Sequence, residues 1–146
     1  MIIEEIAEYL VSTINEDDYP GQGLVAGVNL FINRLPAEAP NACVVIGQYE
    51  GPPSEFTMGR SVSAVDYYKI QVMVRAERED YPGGIARAAL IRNVLGYAPV
   101  LDRSKFTDLI RLEPQGVVNP TGYDEVERPK FTLNLTATIT AANEYP

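Results

Sequence analysis

The sequence has 146 residues, is 46% hydrophobic, and carries 20 acidic against 12 basic side chains for a formal net charge of −8. That length and apolar share suit one globular domain with a core of its own, and the acidity argues against a phosphate-binding surface, which needs clustered Lys and Arg. No apolar run approaches the about 20 residues of a membrane helix, and Glu4 and Glu5 stand where a signal peptide would be basic.

Ile2, Ile6, Tyr9 and Leu10 recur at helical spacing, with Ile3, Ala7, Val11 and Ile14 widening the apolar arc, and predict a buried helix over 2–14. Asn15 to Gly21, with two acids, Pro20 and Gly21, ends it. Asp17 and Asp18 lack the spacing of a calcium loop and read as a solvated turn. Gly21, Gly23 and Gly27 follow a helix and precede a strand, the reverse of a phosphate-binding loop. Val28 to Leu35 reads as a short strand and Ala42 to Gln48 as a second, whose continuous apolar run (Cys43 to Ile46) suggests cover on both faces.

Tyr49 to Ser63 holds Gly51, Pro52, Pro53 and Gly59, so it predicts a loop, yet it carries Tyr49, Phe56 and Met58. Either these side chains meet a partner, or they tuck back over the sheet edge or form a hairpin arm. Val65 to Arg75 alternates cleanly. Tyr68, Ile70, Val72, Val74 and Ala76 share one side; Tyr67, Lys69, Gln71, Met73, Arg75 and Glu77 share the other. After a charged break and Pro82-Gly83-Gly84, Ala88, Ile91 and Leu95 line a helix over 85–95 that Gly96 is expected to stop. Ala98 to Phe106 reads as a connector, Asp108 to Glu113 as a strand and Pro114 to Arg128 as a loop. In the closing strand, Pro129 to Thr140, Phe131, Leu133, Leu135, Ala137 and Ile139 alternate with a threonine-rich face. The expected fold is a single α+β domain over 1–146: a mostly antiparallel, mixed sheet of about five strands flanked by two main helices, in the order α-β-β-β-α-β-β.

The chain has no histidine. This removes the commonest general base, the serine and cysteine triads and most zinc sites. Acid–base work on sugars needs two carboxylates facing each other across a cleft, which the neighbouring acids Glu4/Glu5, Asp17/Asp18, Glu79/Asp80 and Glu125/Glu127 do not show; each pair reads as a solvated turn or face. Arg75, Arg78 and Arg87 flank the turn before the second helix and could grip a phosphate or a partner's carboxylate, but salt bridges to Glu77, Glu79 and Asp80 are the simpler account. The lone Cys43 reads as a buried structural residue. The residues point to no catalysis, no cofactor and no metal.

The stretches LPAEAPNACVVIGQYEGPP, DYYKIQVMVRAERED, ARAALIRNVLGYAP, DLIRLEP and RPKFTLNLTATI, behind an N-terminal helix, resemble the small neck and tail-completion proteins of tailed bacteriophages, the minor capsid or tail terminator proteins. The resemblance is one of pattern and order over most of the chain. It implies a homohexameric ring on the end of the phage tail tube that stops tube polymerisation and meets a head–tail connector or stopper protein. DNA would pass through the ring without specific binding. It also implies a virion location in the tail or neck after assembly in the host cytoplasm, with no membrane. A ring needs two different adhesive patches on each subunit. The expected contacts are the loop from Tyr49 to Met58 and the exposed side of the Gly83 to Leu95 helix, with Tyr49, Phe56, Met58, Arg60, Arg87 and Arg92 as interface residues. A head-completion or stopper protein, a small non-catalytic ligand-binding module and an enzyme on a small acidic or sugar substrate are the rival readings.

Overall fold

A computed structural model describes residues 2–49, 55–56, 64–101 and 109–141, with side chains over 2–49, 67–96 and 111–139. Alternation sets the centre of the sheet. Strand β4 (Ala64–Arg75) pairs antiparallel with β7 (Pro129–Ala141) along its whole length, from Ala64 opposite Ala141 to Arg75 opposite Lys130. One row of the two strands is apolar: Ile70, Val72, Val74, Phe131, Leu133, Leu135 and Ala137 are all buried. The helices α1 (Ile2–Thr13) and α2 (Tyr81–Leu101) both pack on that row, and their residues join it in one core.

The other strands fall into lanes beside this pair. Strands β2 (Cys43–Tyr49) and β3 (Glu55–Phe56) both pair with β4 on the side away from β7, so they are two pieces of one lane. Strands β5 (Leu109–Pro114) and β6 (Asn119–Tyr123) likewise share the far side of β7, with a register shift inside each. The edge strand β1 (Leu30–Ile32) runs parallel to β2, which makes the sheet mixed. Seven strands therefore occupy five lanes, in the order β1-β2-β4-β7-β5. The expected α+β class, mixed sheet and flanking helices hold, while the sheet has seven strands where about five are expected. The element order gains β3 and β6, which lie in stretches rich in glycine and proline.

Three boundaries differ from expectation, each for a local reason. The first strand shrinks to Leu30–Ile32. The Asn29 side chain reaches back across the preceding turn to the backbone before it (accepting from Val25 N–H at 2.7 Å and donating to Gly23 C=O at 2.9 Å), and Asn33 adopts φ of 63° at the other end. Helix α2 starts at Tyr81 and runs through Gly96 to Leu101, where the sequence predicts a stop at Gly96 and a connector from Ala98. Its start is capped by Asp80, whose carboxylate accepts the Gly83 N–H at 3.1 Å. Gly96 lacks the positive φ of a helix-ending glycine. It lies instead against Pro114 of β5, so packing against the sheet carries the helix past it.

The third concerns β2, expected to be covered on both faces. Val44 and Ile46 face the helices and are fully buried, whereas Val45 and Gly47 in the opposite row are only half-buried. Cys43 is the exception in that row. It is fully buried at the end of the sheet, next to Arg75.

Candidate assembly surfaces

The Gly-rich segment after α1 is held by a carboxylate of its own. Glu16 accepts N–H groups from Gly21 and Gly23, which occupies the donors an anion would need. Asp18 bonds the Asn15 side chain in the same turn.

At the end of the sheet where β4 stops, a polar network ties three segments together. Arg75, 7% exposed, donates to the carbonyls of Pro40 and Asn41 at 2.9 Å each. Its Nη1 lies 3.9 Å from Asp124, which makes a closer bond of 2.7 Å to Arg128 Nε. Arg128 also donates to Asn41 Oδ1 at 2.9 Å, and Asn41 donates to Glu77 at 3.1 Å. Burial would push the Asp124 carboxyl up, but N–H donors from Arg128 and Val126 and the Arg128 guanidinium hold it below the ordinary carboxylate value. Burial raises the Cys43 thiol against the opposing pull of Arg75, Arg128 and Arg87. Asp124 is paired with Arg128 and lies near Arg75, and Glu77 accepts from Asn41, so the network acts as a clamp on the β6–β7 turn.

Beside this clamp lies a cleft of about 230 Å³ reached by Arg75, Glu77, Asp80, Gly84 and Arg87. It opens at the start of α2, but the Asp80 carboxylate already caps the helix there. Arg87 donates through Nε to Gln22 at 3.2 Å, and burial lowers its pKa from the ordinary arginine value. Among the described residues, no group of three His, Cys, Asp or Glu side chains could hold a metal ion. No helix among them is long and apolar enough to cross a membrane.

The expected interface residues fall in different places. Tyr49 ends β2 and is 44% exposed. Phe56 lies in β3, opposite Ala64 of β4, which makes this part of the loop a hairpin arm in its backbone. Met58 and Arg60 lie outside the described residues. Arg87 is turned toward Gln22, and Arg92 donates to the Gly116 carbonyl at 3.0 Å, so both guanidinium groups hold α2 to neighbouring segments of the same chain.

Of the nine large apolar side chains exposed among the described residues, Tyr49, Tyr81 and Ile85 lie elsewhere and the other six fall beside the two edge lanes of the sheet. Beside β1 stand Val25, Val28 and Ile32, exposed by 52%, 59% and 38%. They border an open, apolar groove of about 190 Å³ lined by Ala7, Ala26, Gly27, Leu30, Phe31 and Ile32. At the β6 edge stand Val117, Tyr123 and Val126, exposed by 70%, 62% and 49%. Both groups escaped the sequence reading. The signal was present: each is a set of large apolar residues in a Gly/Pro-rich or acidic stretch, the criterion that singled out Tyr49 to Met58.

No protein-family model matches the chain, and no curated protein does.

Proposed function

We propose that the chain is a structural, non-catalytic assembly subunit of a tailed-phage virion, a tail terminator that caps the tail tube as a ring and joins it to the head. The observation that carries this reading is the pair of exposed apolar groups on opposite edges of one open sheet. A subunit that touches a neighbour on each side needs two different adhesive patches, and these edges can supply them. The α+β architecture agrees with the family resembled by the sequence pattern. The net charge of −8 suits a ring through which DNA slides without being gripped. The absence of histidine from the sequence fits a role without acid–base chemistry. Partners in this role are other copies of the chain, the tail tube protein and a connector or stopper protein of the head.

Electron microscopy of particles from a phage or prophage lacking this gene tests the proposal. Filled heads beside unattached tails of irregular, excessive length are the expected result. Tails of normal length beside heads that leak DNA would move the protein to the head side of the neck. Intact infectious particles would overturn the virion role.

A further inference from the structure

We infer that the cleft at the start of α2 binds a monocarboxylate, gripped end-on by Nη1 and Nη2 of Arg87. The occupant is a short-chain acid or an acidic side chain of another protein, and the group recognised is the same in both. Nothing in this site depends on the assembly role proposed above.

The three arginines around the turn before α2 meet different fates. Arg75 turns to the Pro40 and Asn41 carbonyls, and Arg78 pairs with Glu127 at 3.1 Å. Arg87 has the acids Glu77, Glu79 and Asp80 nearby in sequence, yet among the described residues it makes no ion pair. Its hydrogen bond runs from Nε to the neutral amide oxygen of Gln22 at 3.2 Å. Glu16 acts on it only from farther away, and the Glu16 oxygens already accept from the Gly21 and Gly23 N–H groups.

A guanidinium keeps its charge at neutral pH even where burial lowers its pKa, as it does here, so it cannot escape desolvation by losing a proton. Half-buried and without an ionic partner among the described residues, Arg87 gains more from an anion than an exposed arginine would. Gln22 takes the Nε side of the guanidinium. The end-on fork of Nη1 and Nη2 is left, and it matches the two oxygens of a carboxylate lying in its plane.

The rest of the cleft narrows the choice of anion. Glu77 and Asp80 line it as well, and their charges oppose a phosphate dianion more than a monoanion. The N-terminus of α2 is not the binding group, because the Gly83 and Gly84 N–H groups already donate to Asp80. Ala42, Val74 and Ala76 add apolar lining. The cleft volume of about 230 Å³ exceeds the about 150 Å³ that accepts a benzene ring, which leaves room for a short hydrocarbon tail behind the carboxylate.

NMR titration of isotope-labelled protein at constant ionic strength provides the test. The probes are sodium butyrate, the blocked peptide acetyl-alanyl-glutamyl-alanine amide and inorganic phosphate. Butyrate or the peptide should shift the Arg87 Nε–H and Gln22 side-chain signals saturably, with Kd on the order of 1 mM, and phosphate should bind at least about tenfold more weakly. Tighter binding of the peptide assigns the carboxylate to a protein partner, and tighter binding of butyrate assigns it to a free acid. Arg87→Lys keeps the charge but loses the fork, and should weaken binding at least about tenfold. Gln22→Glu sets a carboxylate of the chain's own against Arg87. It should raise Tm and abolish acid binding, a loss that a purely structural Arg87 would not produce. Dispersed amide signals check that both variants fold. The inference is overturned by the absence of a saturable shift from both acids up to about 50 mM, by undiminished binding in either variant, or by phosphate binding as tightly as the acids.

Discussion

Two glycines of α2 make opposite predictions under the same substitution. Gly84 is buried where the helix crosses the sheet. A Cβ there would meet the Phe131 ring and come within 2.7 Å of Ala76 Cβ. Phe131 is fully buried and is braced edge-on by Tyr81 (centroids 4.9 Å apart, planes at 68°), so it has no free direction of retreat. Gly84→Ala gains about 1 kcal/mol of helix propensity but incurs about 1–3 kcal/mol of overpacking. With both neighbours fixed, the steric cost wins, for a net loss of about 1–2 kcal/mol. At Gly96 the same Cβ would lie 3.5 Å from Pro114 Cγ, an ordinary contact. Gly96→Ala should therefore keep most of the propensity gain, about 0.5–1 kcal/mol. Urea titrations with unchanged slope should move the two midpoints in opposite directions, with Tm shifts of about −5 °C and +2 °C for a chain of this size. A Gly84→Ala variant as stable as the wild type would refute the close approach of α2 to β4 and β7. A Gly96→Ala variant weakened by about 1 kcal/mol or more would refute the continuous helix and restore a left-handed cap at that position.

The remaining predictions concern the clamp and the thiol. Arg75→Ala leaves the Pro40 and Asn41 carbonyls without their donor and should cost about 3 kcal/mol in equilibrium unfolding; a loss below about 1 kcal/mol would mean that the clamp is dispensable. Asp124 is held below its ordinary value when folded, so its contribution is complete above the unfolded carboxyl pKa of about 4 and is lost as pH falls through the folded one. The stability gap between wild type and Asp124→Asn should accordingly be widest at neutral pH and narrow on acidification; a gap that widens in acid would contradict the direction of the shift. Cys43 is fully buried, with its thiol pKa raised chiefly by burial. A thiol reagent at neutral pH should modify it only as fast as the chain opens, and prompt labelling of the native protein would count against that placement.

The period-two patterns of β4 and β7 made the sheet centre legible, because a one-residue slip would turn every core residue to solvent. The arc of α1 was equally plain: Ile3, Ile6, Leu10 and Ile14 are almost wholly enclosed. What escaped was decided by tertiary contact. Gly96 reads locally as a stop, and only Pro114 on β5 explains why the helix continues. Strand β6 holds Pro120 and Gly122, poor strand formers, and exists because β7 offers an open ladder beside it. The surfaces proposed for assembly were the least legible. Val28, Ile32, Tyr123 and Val126 are apolar side chains scattered in sequence, and the sheet order alone sorts them to opposite edges.

The pairing of β4 with β7 has a consequence for how the chain is made. Its nearest partners, Arg75 and Lys130, are 55 residues apart (130 − 75), and its farthest, Ala64 and Ala141, are 77 apart (141 − 64). Both segments are needed for the centre of the sheet, so the closing step is non-local and slow compared with formation of either helix. At ribosomal rates of roughly 5–20 residues per second, β4 waits on the order of several seconds for its partner, with an apolar row and an open ladder exposed. During that interval the β7 side of β4 is an unpaired ladder, the kind of edge through which two incomplete chains can pair with each other.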